Sequence, residues 1–478
     1  MKKYSHFPFY LFCIGAFLLI ISRDIFAHTQ FMDGIIYAAI SKNIAIGNGS
    51  FWDLHFSNTL MDHFHEHPPL AMGLESLFFK VFGDGRLIEK FYSLFTYLIV
   101  GILIWKIWKQ LGFKSKLGWT PIFFWIIVPV VFWACKNNLL ENTLVVFTTL
   151  SIFFLFKSQK EKTITYLFLS GLMLSLGFLS KGFVAFFPLS FLFFSWLFQR
   201  ESSFFKMTLN TVLLIFFSVF PIVLICLISV EAKESLDAYF QIQVIKSLET
   251  VKTVESRFFI VKRLFSELLL PIIIGFIFYF ISFKRRNEFK INTENKKLVF
   301  TLIATALAGV LPIMISMKQS GFYILATYPL FALAIAIFLS KHIENITDRI
   351  IENSNRFNSL KIISSLIFIL GIGFSMYFST KYGKDETKVK DIYKILPYIP
   401  KNSTLKICPE LDDDWALHAY FQRFKNISLD SDPTKTHSLL LVNSIICKSY
   451  IIPSGFQQIK LETKEYKLFR KEDFEILN

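Results

Sequence analysis

Three features that would point to other kinds of protein are missing from this 478-residue sequence. It contains no internal repeat, no low-complexity linker and no nucleic-acid-binding motif. Charged residues make up only 18% of the chain, and they are nearly absent from long stretches of apolar sequence. A soluble protein of this length would divide into several domains with alternating polar and apolar patterns. The scarcity of charge within the apolar stretches therefore excludes an ordinary soluble multidomain protein.

Long apolar runs fill most of the first 378 residues. The chain is 53% hydrophobic and contains 58 Phe. A membrane-spanning helix needs about 20 apolar residues. Eleven runs approach that length: 7–22, 91–108, 119–134, 142–156, 164–180, 183–198, 208–230, 264–283, 298–316, 322–340 and 362–378. The first run has no small-x-small cleavage site after it, so it is predicted to be an uncleaved span rather than a signal peptide. The sequence predicts a polytopic α-helical membrane protein with about 11 transmembrane helices.

The net charge of +15 is explained by this topology. If the N-terminus is cytoplasmic, the internal loops contain Lys2, Lys3, the basic cluster at 284–297 and most of the other loop lysines and arginines. The short loops on the opposite side contain only Lys136, Lys181 and Lys318. This is the positive-inside asymmetry that sets membrane orientation. The basic charge therefore predicts orientation, and we expect no nucleic acid among the partners.

The first external loop, residues 23–90, is predicted to contain two helices lying in the membrane interface. Apolar residues return at helical spacing over 34–46 and again over 69–82. Lys42 and Asn43 fall on the expected polar side of the first helix. We assign this loop, which also contains the candidate catalytic motifs, to a transmembrane domain that covers residues 1–378.

The last hundred residues, 379–478, have a different pattern. Their apolar runs shorten to strand length, as at 405–408 and 439–442, and 415–424 can form a helix. This predicts a small soluble α/β domain, which an odd number of spans places outside the cytoplasm. Cys408 and Cys447 both lie in it, and could form a disulfide in an oxidising compartment.

A polar stretch in the first external loop concentrates titratable groups. Residues 62–67, Asp-His-Phe-His-Glu-His, contain three histidines and two carboxylates, and two prolines end the stretch. We predict that a helix begins at Pro69, with Glu66 and His67 facing water at its N-terminal edge. His63, His65 and His67 alternate, so with Glu66 they could also hold a divalent metal. Because no helical His-x-x-x-His pair accompanies them, the main expectation is that no metal or other cofactor is required.

Seven candidate site residues fall on the external face in this topology. They come from separate loops and are Asp33, Glu66, His67, Glu141, Lys181, Lys318 and Tyr323. Ionisable groups near a bilayer are costly unless they serve a site or meet water. A carboxylate can act as a general base on an acceptor hydroxyl or amine, and cations can stabilise a departing phosphate. Taken one by one, Glu141, Lys181 and Lys318 are also typical of water-facing loop residues.

Four stretches occur in the order found in one known family. They are Asp33-Gly34-Ile35-Ile36-Tyr37, Glu66-His67-Pro68-Pro69-Leu70, Gly177-Phe178-Leu179-Ser180-Lys181-Gly182, and Lys318-Gln319-Ser320-Gly321-Phe322-Tyr323-Ile324-Leu325 followed by Tyr328-Pro329. The chain thereby resembles the polyprenyl-phosphate-dependent glycosyltransferases of the C-type (GT-C) superfamily. Protein O-mannosyltransferases and the bacterial aminoarabinose transferase of lipid A are the members that it resembles most. The resemblance covers about residues 7–340 and implies a GT-C-like fold.

The resemblance also implies roles for the candidate residues. Asp33 would be the general base, and Glu66 would join it at the catalytic centre where the donor headgroup binds. The donor and its phosphate would meet His67, Glu141, Lys181, Lys318 and Tyr323. His67 stands where the aminoarabinose transferase has lysine, so its charge is expected to depend on pH. Glu141 stands where many relatives have aspartate.

These features together predict an inverting glycosyltransferase in a bacterial inner membrane, with its active site and C-terminal domain on the periplasmic side. The donor would be a polyprenyl-phosphate sugar, and the acceptor a protein, lipid A or another cell-surface glycan. Membrane lipids are the other expected partners. The alternative is a transporter or lipid flippase without covalent chemistry, which eleven spans would permit. Transporters often consist of related halves with helices broken at mid-membrane, and the sequence has no such repeat.

Overall fold

The structure, a computed structural model, describes residues 6–246, 251–283 and 292–472. Several basic residues on which the orientation prediction depends lie outside the described residues, namely Lys2, Lys3, Lys284, Arg285, Arg286 and Lys290.

The described helices are α1 (Phe7–Ile21), α2 (Met32–Ile46), α3 (Leu70–Phe82), α4 (Ile88–Gln110), α5 (Trp119–Ile126), α6 (Pro129–Cys135), α7 (Leu140–Ser158), α8 (Thr163–Lys181), α9 (Phe191–Gln199), α10 (Phe204–Ile228), α11 (Val230–Tyr239), α12 (Phe259–Phe283), α13 (Thr293–Val310), α14 (Tyr328–Phe338), α15 (Ser340–Glu352), α16 (Ser354–Phe378), α17 (Glu386–Ile395) and α18 (Trp415–Lys425). The strands are β1 (Thr404–Ile407), β2 (Ser428–Asp430), β3 (Leu439–Asn443), β4 (Phe456–Ile459) and β5 (Tyr466–Lys471).

Membrane-spanning helices dominate the described chain. Eight helical segments in it are long and apolar enough to cross a membrane: Ile88–Gln110, Leu140–Ser158, Thr163–Lys181, Phe204–Ile228, Phe259–Ser282, Thr293–Ile315, Gly321–Phe338 and Ser354–Phe378. A ninth candidate is broken, since Ser115–Ile126 and Pro129–Cys135 meet at 83°. The apolar helices Phe7–Ile21 and Phe183–Gln199 are shorter. The prediction of a polytopic helical membrane protein is confirmed, whereas the number of 11 spans stays a prediction.

The broken span is stabilised by a carboxylate from α12. Pro129 occupies the first turn of α6, where its missing N–H costs no helical hydrogen bond. The next backbone N–H, that of Val130, donates to Glu267 Oε2 at 2.6 Å. The other oxygen of Glu267 lies 2.6 Å from Arg263 Nη2. This anchored α6 carries Trp133, whose ring stacks on Phe322 with centroids 5.8 Å apart.

The chain folds into two compact units. The first, which we call the membrane unit, comprises Met1–Ser22, His65–Ala71 and Ser93–Ser375. The second, which we call the mixed unit, comprises Arg23–Phe64, Met72–Tyr92 and Met376–Asn478. Most of the first external loop therefore folds together with the C-terminal residues.

The mixed unit contains a five-stranded sheet in the order β2-β1-β3-β5-β4. β1 pairs in parallel with β2 and β3, while β5 is antiparallel to β3 and β4. α18 connects β1 to β2 and also packs against α2. The two predicted strands correspond to β1 and β3 and the predicted helix to α18, so the small α/β fold is confirmed. Cys408 and Cys447 form a disulfide within it.

The predicted polar side of α2 is wrong. Lys42 is 1% exposed and Asn43 is fully buried. Lys42 Nζ lies 2.8 Å from Asp84 Oδ2 and donates to the Arg423 carbonyl oxygen at 2.8 Å. Asn43 donates to the carbonyl oxygens of His55 and Phe56. These contacts come from residues distant in sequence, and they offset the cost of burying polar groups on what looked like an interfacial helix.

Candidate active site

Lys181 is the last residue of α8, at a turn that only glycine can make. Gly182 has φ +82° and ψ −150°, and its N–H donates to the Phe178 carbonyl oxygen. A Cβ on Gly182 would lie 1.7 Å from the hydroxyl oxygen of Tyr239. Glycine is therefore required both for the backbone conformation and for the close approach of a neighbouring ring. The turn fixes the point from which the Lys181 side chain extends.

We expect Gly182→Ala to lower both thermal stability and Lys181-dependent activity. Strained backbone positions cost about 1–3 kcal/mol, and here the contact with Tyr239 adds to that cost. Gly112→Ala is the matched control, because Gly112 also has positive φ, at +85°, but a Cβ there meets nothing within 4 Å. Thermal unfolding of both variants in detergent is the measurement. Equal melting temperatures would show that the approach of Tyr239 does not matter.

Glu141 and Lys181 form a buried ion pair. Lys181 Nζ lies 3.1 Å from Glu141 Oε1, and the two side chains are 8% and 1% exposed. Glu141 lies in the first turn of α7, where the helix dipole favours a carboxylate. Buried charges are stable only when they are paired. The pair therefore holds the ammonium of Lys181 in place.

His67 reaches the same group from the first external loop. Its Nε2 lies 3.4 Å from Lys181 Nζ. Pro68 and Pro69 follow it, and α3 begins at Leu70, one residue after the predicted start. Burial, together with the nearby charges of Lys181 and Lys318, holds the pKa of His67 well below 6.5. The free protein therefore has a neutral His67 at pH 7, and its lone pair can accept a hydrogen bond from Lys181.

Because the pKa of His67 is lowered, we expect the effect of His67→Ala on kcat/KM to be independent of pH. The value of kcat/KM reports groups of the free enzyme, and in the free enzyme His67 is already neutral at pH 6.5 and above. We expect the ratio of wild-type to variant kcat/KM to stay constant between about pH 6.5 and 8, since both limits lie above the lowered pKa. Transfer rates measured across this range provide the check. A ratio that grows as the pH falls would instead show that protonated His67 binds the donor.

Lys318 lies on a loop held by a buried glutamine. Gln319 is 4% exposed, accepts from the Ile260 N–H at 2.9 Å, and donates to the carbonyl oxygens of Arg257 and Ser316. Lys318 Nζ donates to Gln243 Oε1 at 2.8 Å. The sequence reasoning missed both glutamines. Gln319 lies inside a motif that was singled out, but no local pattern marks Gln243.

These groups surround one cavity within the membrane unit, with a volume of about 340 Å³. Its polar lining consists of His67, Glu141, Lys181, Gln243, Ser316, Lys318 and Tyr323. The remaining lining is Phe183, Val184, Tyr239, Val244, Pro312, Ile313 and Ile315. Two ammonium groups thus lie in a cavity whose other walls are largely apolar.

Five of the seven candidate site residues line this cavity: His67, Glu141, Lys181, Lys318 and Tyr323. Tyr323 is carried by the 3₁₀ helix Gly321–Thr327. Glu66 is half-buried in the loop beside His67 and is not among the described lining residues. Asp33 is half-buried in the first turn of α2 and belongs to the mixed unit.

The histidines of the polar stretch take separate partners. His63 Nδ1 lies 2.7 Å from Asp53 Oδ1, whereas His67 contacts Lys181. Across the described ranges, the one group of three potential ligands close enough for a single ion is Cys408, Glu410 and Cys447. Its two cysteines are bonded to each other, so it offers no thiolate pair. The metal hypothesis for His63, His65, His67 and Glu66 gains no support from this geometry.

The cavity suits an anionic group carried on an apolar chain. Charged hydrogen bonds from ammonium groups to phosphate are strong, and they strengthen where water is excluded. The apolar walls offer contacts to hydrocarbon next to that charge. The arrangement can therefore bind a lipid phosphate and stabilise the negative charge that develops when a bond to that phosphate breaks.

Comparison with known proteins finds relatives of the sequence stretch that carries His67, Glu141 and Lys181, and of the fold as a whole. Residues 66–225 match the family model of dolichyl-phosphate-mannose-protein mannosyltransferases. The fold is similar to that of ArnT from Cupriavidus metallidurans bound to undecaprenyl phosphate, with 12% identity, 96% of this chain and 97% of that chain covered, and a TM-score of 0.67. The apo state of the same ArnT gives 13% identity, 95% of both chains covered and a TM-score of 0.63.

A more distant likeness is to the archaeal oligosaccharyltransferase AglB from Archaeoglobus fulgidus, in complex with an inhibitory peptide and a dolichol-phosphate. It has 12% identity, covers 92% of this chain and 70% of that chain, and gives a TM-score of 0.53. No curated protein matches the chain. Identities this low show a shared fold. The chain therefore resembles the dolichyl-phosphate-mannose-protein mannosyltransferases over residues 66–225, and it shares its fold with ArnT and AglB.

Proposed function

We propose that the protein transfers a sugar from a polyprenyl-phosphate donor to a lipid, protein or glycan acceptor on the periplasmic side of a bacterial inner membrane. The observation that carries the proposal is the pair of lysines, Lys181 and Lys318, in one largely apolar cavity of the membrane unit. An enzyme that acts on a free nucleotide sugar would not need apolar walls around its phosphate site. A donor whose phosphate is attached to a long hydrocarbon does need them.

The reaction requires a leaving group and a base. The bond between the anomeric carbon and the phosphate oxygen breaks, and its electron pair goes to the phosphate. Lys181 and Lys318 stabilise that charge, so the departing phosphate does not have to be protonated by an acid. The acceptor oxygen or nitrogen attacks the opposite face of the anomeric carbon, which inverts its configuration, and gives its proton to a carboxylate. The resemblance assigns this role to Asp33, with Glu66 beside the donor headgroup.

Neighbouring residues have positioning roles in this scheme. Glu141 fixes Lys181 through their ion pair. Neutral His67 accepts from Lys181 and leaves its other ring nitrogen able to donate to a phosphate or sugar oxygen. Gln243 orients Lys318 in the same manner. Each cation is thus held by a neighbour before the donor binds, which reduces the reorganisation needed during the reaction.

The proteins with a similar fold support the choice of donor. ArnT is bound to undecaprenyl phosphate, and AglB is in complex with a dolichol-phosphate. The basic loops and the disulfide support the proposed orientation. Disulfides persist in oxidising compartments such as the bacterial periplasm, and Cys408–Cys447 lies in the mixed unit.

Mass spectrometry of lipid extracts and surface glycans tests the proposal in cells. We compare wild type with Lys318→Met, and use Lys233→Met as the matched control because Lys233 is exposed and outside the cavity lining. We expect a polyprenyl-phosphate sugar to accumulate in Lys318→Met while one glycan lacks a single residue. The control should match the wild type. The missing residue would identify both the donor sugar and the acceptor.

Unchanged lipid and glycan profiles would overturn the proposed transferase function. If neither profile changes in Lys318→Met although the protein is inserted and folded, the lysine is not needed for transfer. If deleting the whole protein also leaves both profiles unchanged, the chain has no transferase activity in the cell, and transport of a lipid phosphate becomes the function to test.

A further inference from the structure

A second cavity lies wholly within the mixed unit and is lined by neutral hydrogen-bonding groups. Its volume is about 280 Å³. The polar lining residues are Asn48, Asn58, Asn402, Gln422, Asn426 and Ser428, and the rest of the lining is Ile46 and Gly47. Each amide offers a carbonyl acceptor and two N–H donors. In the described part of the chain, every side chain that lines this cavity is uncharged.

Two of these amides are buried and retain an unused acceptor. Gln422 is 2% exposed and Asn426 is 5% exposed. Neither Gln422 Oε1 nor Asn426 Oδ1 accepts a hydrogen bond from any described residue. Asn426 Nδ2 donates to Asn43 Oδ1 at 3.3 Å, so the nitrogen of this amide has a partner while its oxygen has none within the described ranges. Buried polar atoms are almost always paired, and the terminal torsion of an amide rotates easily. Both oxygens are shielded from solvent in this conformation, so each would accept a hydrogen bond from a ligand in the cavity once its amide rotates.

The backbone around the cavity is also unusual. Asn402 has φ +58° and Asn426 has φ +54°. Residues other than glycine rarely adopt this left-handed conformation, although asparagine tolerates it best. Such positions are enriched at ligand sites, where the surrounding structure enforces them. Asn426 is also the C-cap of α18, so its conformation serves the helix end as well as the cavity.

The lining excludes several classes of ligand. Among the described residues, the lining contains no lysine or arginine that could bind a phosphate or carboxylate, and no carboxylate that could bind a hard cation such as Ca²⁺. A peptide strand could add to the sheet only at a free edge. The edge at β2 is covered, because Asn58 N–H donates to Ser428 Oγ at 3.0 Å and Thr59 Oγ1 donates to the Leu429 carbonyl oxygen at 2.7 Å. A neutral ligand rich in hydroxyl groups remains.

We propose that this amide-lined cavity binds an uncharged sugar ring of the acceptor. Sugar hydroxyls both donate and accept, as the amides do, and the cavity volume lies near the lower end of small-ligand sites, about 300 Å³. The proposal rests on the proposed transferase function, and it narrows the acceptor to a molecule that carries neutral sugars.

Saturation-transfer NMR on the full-length protein in nanodiscs tests this proposal, with neutral hexoses and N-acetylhexosamines as probes. The test variant combines Asn402→Gly, which keeps the left-handed backbone available, with Asn58→Ala at an exposed position. We expect at least about tenfold weaker binding, a change of 1.4 kcal/mol. Lys233→Met, at an exposed residue outside the described lining of both cavities, should bind the same sugar as the wild type does.

The outcomes separate the two proposals. No binding of any neutral sugar, while the wild type still consumes a polyprenyl-phosphate sugar, would overturn the acceptor cavity and leave the transferase intact. Sugar binding that the double variant does not weaken would also overturn it. A melting temperature that rises with Ca²⁺ and not with sugar would assign the cavity to a cation instead. Amide-dependent sugar binding in a protein that never consumes the donor would remove the acceptor assignment together with the transferase.

Discussion

Asp33→Asn should reduce the rate of sugar transfer by about 10²–10⁴-fold, the usual contribution of a positioned general base. Asparagine has nearly the shape of aspartate but cannot accept the proton that the acceptor must lose. Asp33 lies in the first turn of α2, with the buried residues Gly34–Asn43 directly after it. The change therefore leaves the helix in place while removing the carboxylate that we propose as the base. Single-turnover transfer by protein in nanodiscs measures the chemical step directly.

Two comparisons make this result specific to Asp33. Binding of a polyprenyl phosphate should be unchanged, because the lysines that would bind it are in the donor cavity. Asp53→Asn is the matched control in the same loop, since Asp53 is exposed and its carboxylate pairs with the exposed His63. We expect that control to transfer at the wild-type rate. If Asp33→Asn also transfers at the wild-type rate, Asp33 is not the base, and Glu66→Gln is the next variant to measure.

Arg423→Met should have the largest effect on stability, and it should act on the mixed unit. The Arg423 side chain is 2% exposed, and it lies 2.8 Å from Asp84 Oδ1 and 2.9 Å from Glu89 Oε2. Its guanidinium also donates to the Gly85 carbonyl oxygen. Methionine would fill the space but would leave the buried Glu89 carboxylate without this partner. Removing one member of a buried pair costs about 3–5 kcal/mol.

Hydrogen exchange followed by mass spectrometry on the full chain can locate the effect. We expect faster exchange in α18 and also in α2, because Lys42 shares Asp84 with Arg423. Lys390→Met is the control, since Lys390 forms an exposed i,i+4 pair with Glu386, and such pairs contribute little. Faster exchange confined to α18 would show that the ion pairs of Arg423 and Lys42 with Asp84 do not stabilise α2. Unchanged exchange in both helices would show that the buried pairs contribute nothing to stability.

The pH behaviour of His67 shows how a local expectation can fail. On the sequence alone His67 has an ordinary pKa, and a histidine in place of lysine implies a charge that switches near neutral pH. In the folded protein the pKa of His67 is lowered by burial and by Lys181 and Lys318. Neither lysine is near His67 in sequence. The direction of the shift therefore could not have been read from the loop itself.

Local sequence determined the elements of this protein. Long uncharged apolar runs can be stable only as helices in a membrane, since each backbone polar group must be paired within the segment. Short apolar runs between polar residues fixed β1 and β3, and Gly47 ends α2 in a left-handed conformation with φ +81°. These features depend on residues within one or two turns of each other, so periodicity and length suffice to predict them.

Tertiary structure alone decided which of these residues meet. Contacts between residues far apart in the sequence buried Lys42 against Asp84 and Arg423, brought His67 to Lys181, and placed five amide residues around one cavity. The apolar or polar character of a side chain determines which kinds of group it can bind. Which residue becomes its partner depends on how whole helices pack. A polar residue on a helix can therefore face water or form a buried ion pair. The outcome depends on whether the folded chain supplies a partner that offsets the cost of burying the polar group.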